Sequence, residues 1–81
     1  MVTSKYLTVQ QDWDERIRVM EKNLRDEHYD FLYFNIVLNL VDAQDNADYD
    51  REKVLKKALA AFKRNAFEMV GTYINKLKGI A

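Results

Sequence analysis

A chain of 81 residues has room for one domain, taken here as residues 1–81, with a thin hydrophobic core. It has no cysteine and one histidine, which excludes disulfides, thiolate zinc sites and multi-histidine sites within one chain. Hydrophobic residues make up 48% and charged residues 32%, outside the range of disordered chains. Because small domains usually need disulfides, a metal or self-association, the composition favours an oligomer.

The first predicted element is an amphipathic helix over residues 11–26. Asp12 and Glu15 have the spacing of a capping box, with Asp12 as the N-cap. One narrow apolar stripe follows, at Trp13, Ile17, Met20 and Leu24. The residues before this helix, which include KYLTVQ, alternate weakly and predict a short extended segment or an irregular lead-in.

The second element, residues 29–42, contains the most apolar stretch, FLYFNIVLNLV at 31–41. As a helix it is apolar over about 240° of its circumference, which requires neighbours on several sides. Apolar spacing alone would also allow one continuous helix over 12–42, but the apolar side changes direction near residue 28. We therefore expect a break within 26–30. A buried strand is the remaining reading of 31–41.

The polar groups of this second helix would all point in nearly one direction: His28, Asn35, Asn39 and Asp42. We expect the two asparagines to face water, with register-setting in a helix pair as the alternative. Phe31 and Phe34 are expected in the core. The other helices of the chain cover either all of this wide apolar face or only part of it. In the second case the uncovered part is available to a second copy or to another protein.

An aspartate-rich loop, VDAQDNADYD, is predicted over residues 41–50, and a long helix over 50–78. The loop lacks the glycine and the final glutamate of an EF-hand, so it predicts no calcium site. The expected fold is therefore all-α, a small three-helix bundle with helices at roughly 11–26, 29–42 and 50–78. No cofactor or metal site is expected.

The charge is distributed unevenly along the chain. Residues 1–50 carry five basic and eleven acidic side chains, a net −6, and residues 51–81 carry eight basic and two acidic, a net +6. A basic helical face is the electrostatic footprint of a nucleic-acid binder. The favoured interpretation, however, is the ordinary solvated side of a helix, or one compensated by acidic segments of the same chain. The cations that would contact phosphate are Lys53, Lys56, Lys57, Lys63 and Arg64.

No catalytic motif is present, and we expect a non-enzymatic protein. The leading hypothesis is a small cytoplasmic adaptor, inhibitor or other regulatory protein that buries an aromatic and aliphatic helix face against itself or another protein. The expected interface residues are Trp13, Tyr29, Tyr33, Val37, Leu40 and Val41. A nucleic-acid-associated regulator is the alternative. The apolar stretch at 31–41 is too short to span a membrane, so no membrane span is expected. The N-terminal MVTSKYLTVQ has one lysine and no long apolar run, so no signal peptide is expected.

Overall fold

The computed structural model describes residues 9–80, with side chains from residue 12 onward. Four helices follow one another, α1 (Val9–Arg25), α2 (Tyr29–Asp45), α3 (Tyr49–Lys63) and α4 (Phe67–Lys76), and a 3₁₀ turn (Leu77–Gly79) ends the described range. The prediction of an all-α fold is confirmed for these residues, as is the break within 26–30. The predicted extended segment falls mainly on residues 1–8, outside the described range, whereas residues 9 and 10 already belong to α1.

The predicted single helix over 50–78 is wrong, because the chain turns sharply between α3 and α4. Asn65 takes a left-handed backbone conformation there, with φ of 60°. Asparagine adopts this region more readily than most residues, so the turn forms without glycine. The apolar spacing continues across the turn, which is why periodicity alone predicted one helix and hence three helices instead of four.

All three connections between helices use the same backbone turn. Its left-handed residues are Glu27, Ala47 and Asn65, with φ of 59°, 53° and 60°. In the second turn the Ala47 N–H donates to the Gln44 carbonyl at 3.2 Å and the Asp48 N–H donates to the Ala43 carbonyl at 2.8 Å. The first and third turns repeat this pair of bonds. This is the Schellman arrangement, which satisfies the last carbonyls of each helix and reverses the chain within three residues.

The helix starts are stabilised by acidic residues. Asp48 caps α3, since its side chain accepts from the Arg51 N–H at 3.4 Å. Asp12 is not the N-cap that was predicted, because α1 begins at Val9. Its carboxylate instead accepts a 2.8 Å bond from Arg16 Nε one turn later. The capping-box spacing was therefore wrong as a marker of the helix start.

The core lies between the inner faces of all four helices. Its buried apolar members are Trp13, Ile17, Met20, Leu32, Ile36, Ala43, Leu55, Ala58, Ala61, Val70, Ile74 and Leu77. Consecutive helices pack against each other, and α1 also packs against α4, which closes the bundle. Tyr29 stacks on Phe67 with a ring centroid distance of 4.2 Å, so an aromatic contact joins the starts of α2 and α4.

A buried arginine ties one end of the bundle together. Arg51 is 2% exposed and pairs with Asp48 at 2.7 Å. It also donates to the Ile80 carbonyl at 3.0 Å, which anchors the end of the described range to α3. The guanidinium carbons of Arg16 and Arg51 each lie 4.9 Å from the Trp13 ring centroid, so the indole holds two cations.

Candidate protein-binding face

The polar edge of α2, formed by Asn35, Asn39 and Asp42, is bonded to side chains of α1. Arg16 donates to the Asn39 side-chain oxygen at 3.1 Å and forms an ion pair with Asp42. Asn39 is only 7% exposed and also donates to the Met20 sulfur at 3.5 Å. Asn23 donates to Asn35 one turn earlier on α2. The expectation that both asparagines face water was wrong, since Asn39 is buried and the half-buried Asn35 is bonded to α1.

The side of α2 that lies opposite its core-facing residues is apolar and exposed. Phe31, Phe34, Leu38 and Val41 have 64%, 60%, 63% and 44% of their surfaces accessible. Their spacing of three, four and three places them in one row about 15 Å long along the helix. We call these four residues the outer stripe. The prediction that Phe31 and Phe34 lie in the core was wrong.

The rotation of α2 about its own axis follows from the residues available on α1. Arg16 and Asn23 are seven residues apart, two helical turns on one side of α1. This spacing allows Arg16 to reach Asn39 and Asp42 while Asn23 reaches Asn35. Once the polar edge is paired in this way, α2 directs Leu32, Ile36 and Ala43 into the core. The outer stripe then points away from the bundle, about 200° around the helix from those residues.

The surroundings of the outer stripe are acidic. Glu27, Asp30 and Asp45 are exposed, and none of the three forms an ion pair within residues 12–80. The last turn of α2 contains no basic residue. The negative end of the helix dipole therefore adds to the Asp45 charge instead of being neutralised. A partner with positive charge beside its apolar contact surface suits this region.

The six predicted interface residues differ in their burial and in their distance from the outer stripe. Trp13 is 5% exposed and lies in the core. Tyr29 is half-buried against Phe62 and Phe67. Val41 is a member of the outer stripe and Tyr33 is also exposed, whereas Val37 and Leu40 are half-buried and Leu40 packs against the core.

Sequence reasoning missed the centre of this surface, Phe31, Phe34 and Leu38. Their heptad-like spacing was visible in the sequence. It could not show whether the row points inward or outward, because the rest of α2 is apolar as well.

The five cations of the alternative hypothesis lie in different surroundings. Lys56 pairs with Glu52 at 2.9 Å. Lys53 and Lys57 line a cleft between α3 and α4. Lys63 and Arg64 are exposed where α3 ends. The hydrogen bond from Lys56 lowers the pKa of Glu52 below its ordinary value. These positions do not form one continuous surface of unpaired cations.

Two other kinds of site are absent from the described residues. Between residues 9 and 80 there is no group of three or more histidine, cysteine, aspartate or glutamate side chains arranged to hold a metal ion. In the same range no helix has the length and apolar character needed to cross a membrane. Neither a protein-family model, nor a curated protein, nor a solved structure matches this chain.

Proposed function

We propose that this chain is a small protein-binding module that uses the outer stripe of α2 to bind an amphipathic, positively charged helix of another protein. The observation that carries the proposal is the row of four large apolar side chains on the side of α2 opposite the core. A helix in an ordinary globular domain turns its polar side outward. Here α2 turns its polar edge inward and leaves an apolar row in water.

The size of the outer stripe suits a short helix as its occupant. Two phenylalanines, a leucine and a valine at these exposures present on the order of 400 Å² of apolar surface, within the range of functional patches on monomers. A stable interface usually buries about 800 Å² per partner. The stripe therefore provides the apolar centre of a modest interface, with rim contacts to be added by the partner. Helix-in-groove recognition uses anchors at this same spacing.

The charges favour a different protein over a second copy. If two α2 helices paired antiparallel, Glu27 and Asp30 of one copy would approach Asp45 of the other. In a parallel pair each acid would meet itself. Like charges across an interface oppose association. A helix with lysines or arginines beside its apolar row would instead meet three unpaired carboxylates and the negative end of α2.

The test uses two synthetic helical peptides of about 18 residues, with leucines spaced three and four apart. One peptide carries lysines beside the leucines and the other carries glutamates at the same positions. We expect the lysine peptide to bind at least about ten-fold more tightly in fluorescence anisotropy, a difference of about 1.4 kcal/mol. The double variant Phe34→Ser/Leu38→Ser should lose this binding.

The matched control is Tyr49→Ser/Met69→Ser, which removes two exposed large side chains outside α2. It should bind as the unmodified protein does. Retained binding by Phe34→Ser/Leu38→Ser would exclude the outer stripe as the site. Sedimentation equilibrium tests whether a second copy occupies the outer stripe instead. A dimer that dissociates in Phe34→Ser/Leu38→Ser would mean that the partner is a second copy and not a helix of another protein.

A further inference from the structure

We propose that the cleft between α3 and α4 binds a phosphate monoester or diphosphate group through Lys53, Lys57 and Lys76. This site lies on other helices than the outer stripe, and it would operate whether or not the outer stripe binds a protein. The cleft is lined by these three lysines together with Asp50, Val54 and Tyr73, among others.

Several cations of the basic half are already neutralised by carboxylates. Lys56 pairs with Glu52 and Lys78 pairs with Glu21, both at 2.9 Å. Arg51 is buried with Asp48. The three cleft lysines are exposed and form no ion pair within the part of the chain whose side chains are described. Three cations of the basic half that lack a carboxylate partner therefore lie in this cleft. Two others, Lys63 and Arg64, lie at the end of α3.

The three cleft lysines come from two neighbouring helices. Lys53 and Lys57 are one helical turn apart, so their side chains leave α3 side by side. Lys76 comes from α4, and its Nζ lies 5.5 Å from the Tyr73 ring centroid. The cation–π contact holds this ammonium over the cleft wall. Charges from two helices therefore converge on one concave space with Val54 in its lining, where field lines are focused more strongly than on a flat surface.

The net charge of the cleft favours a particular class of anion. Asp50 is the acid in the cleft lining and lies in the first turn of α3. Three lysines and one aspartate leave a net charge of +2. A phosphate monoester carries about −1.5 to −2 at pH 7, which matches this value. A nucleic-acid backbone carries one charge per phosphodiester and requires a longer row of cations. Lysine ammonium groups bind phosphate as compact point charges.

The test is an NMR titration of the full chain with sodium pyrophosphate and with phenyl phosphate, with ionic strength held constant by sodium chloride. Amide signals of residues lining the cleft should shift in a saturable way. Lys53→Ala/Lys57→Ala and Lys76→Ala should each weaken binding at least about ten-fold. Lys56→Ala is the matched control for Lys76→Ala, since each removes one positive charge and Lys56 lies outside the cleft lining; it should change the affinity less than about two-fold.

A gain-of-function variant makes the test sharper. Asp50→Asn raises the cleft charge by one and should tighten pyrophosphate binding about three-fold or more. Equal effects of Lys56→Ala and Lys76→Ala would overturn the proposal, because they would indicate general attraction to the basic half. A single-stranded oligonucleotide tests the other source of phosphate. If it binds more tightly than pyrophosphate and depends on Lys63 and Arg64, the ligand is a nucleic-acid backbone and the proposal is wrong.

Discussion

Two sides of α2, the polar edge against α1 and the outer stripe, differ from those of a usual amphipathic surface helix, whose polar side faces water. The side that meets α1 uses polar groups, in which Asn39 and Asp42 bind Arg16. The side that meets water carries Phe31, Phe34, Leu38 and Val41. Because α2 is apolar over most of its circumference and its neighbours cover it only in part, one apolar side is exposed whatever the rotation of α2 about its own axis. The polar groups then select the rotation, since leaving a buried one unpaired costs about 1–3 kcal/mol.

The largest expected effect is the difference in unfolding free energy between substitutions of two aliphatic residues on opposite sides of α2. Ile36 is fully buried and Leu38 is exposed on the outer stripe. Ile36→Ala should lower the free energy of unfolding by about 2–4 kcal/mol, because it removes buried methyl groups and leaves a cavity. Leu38→Ala should change it by less than about 0.5 kcal/mol. Urea denaturation measures both, and equal losses would mean that the two sides do not differ in burial.

The polar edge is tested next by Asn39→Ala. This variant removes the acceptor of the Arg16 bond in a nearly buried position. We expect the free energy of unfolding to fall by about 1–2 kcal/mol. Asn75→Ala, at an exposed position of α4, is the control. It should raise the free energy of unfolding by a few tenths of a kcal/mol, because alanine has a higher helix propensity than asparagine. If both variants behave alike, the inner polar contacts do not stabilise the packing of α2 on α1.

The turn that ends α2 provides a smaller effect of opposite sign. Ala47 has φ of 53°, a region that glycine occupies without a Cβ penalty. Ala47→Gly should raise the free energy of unfolding by about 0.5–1 kcal/mol. The same substitution at Ala60, exposed within α3, should lower it by about 1 kcal/mol.

Peptide binding to the outer stripe should not change in Ala47→Gly if the polar edge, and not the turn, sets the rotation of α2. Altered binding in this variant, with the fold retained, would assign that role to the turn.

The smallest effect concerns the other neighbour of α2, helix α3. The Glu52 pKa lies below its ordinary value, first because Lys56 donates a hydrogen bond to it, with Gln44 of α2 adding a weaker bond. A lowered folded-state pKa stabilises the fold above the unfolded-state pKa, and this contribution is lost as the pH falls through the folded-state pKa. Lys56→Ala should raise the Glu52 pKa toward its ordinary value in an NMR titration. Lys53→Ala should not, since Lys53 is not bonded to this carboxylate.

Several parts of the fold follow from local sequence alone. Trp13, Ile17 and Met20 are buried as the spacing on α1 predicts, and the break before α2 was detected from the change in apolar direction. The turn at Asn65 was not detected. A Schellman turn is a backbone arrangement that leaves the apolar spacing almost undisturbed, and without glycine or proline no residue marks it clearly.

The sequence by itself determined the helical class, the position of most of α1 and α2, and the presence of an apolar surplus in residues 31–41. It also determined the charge difference between the two halves of the chain. Only the tertiary structure decided which side of α2 is exposed and which lysines share a cleft. The physical reason is that both depend on partners from distant parts of the chain: Arg16 and Asn23 for the rotation of α2, and Lys76 and Tyr73 beside Lys53 and Lys57 for the cleft.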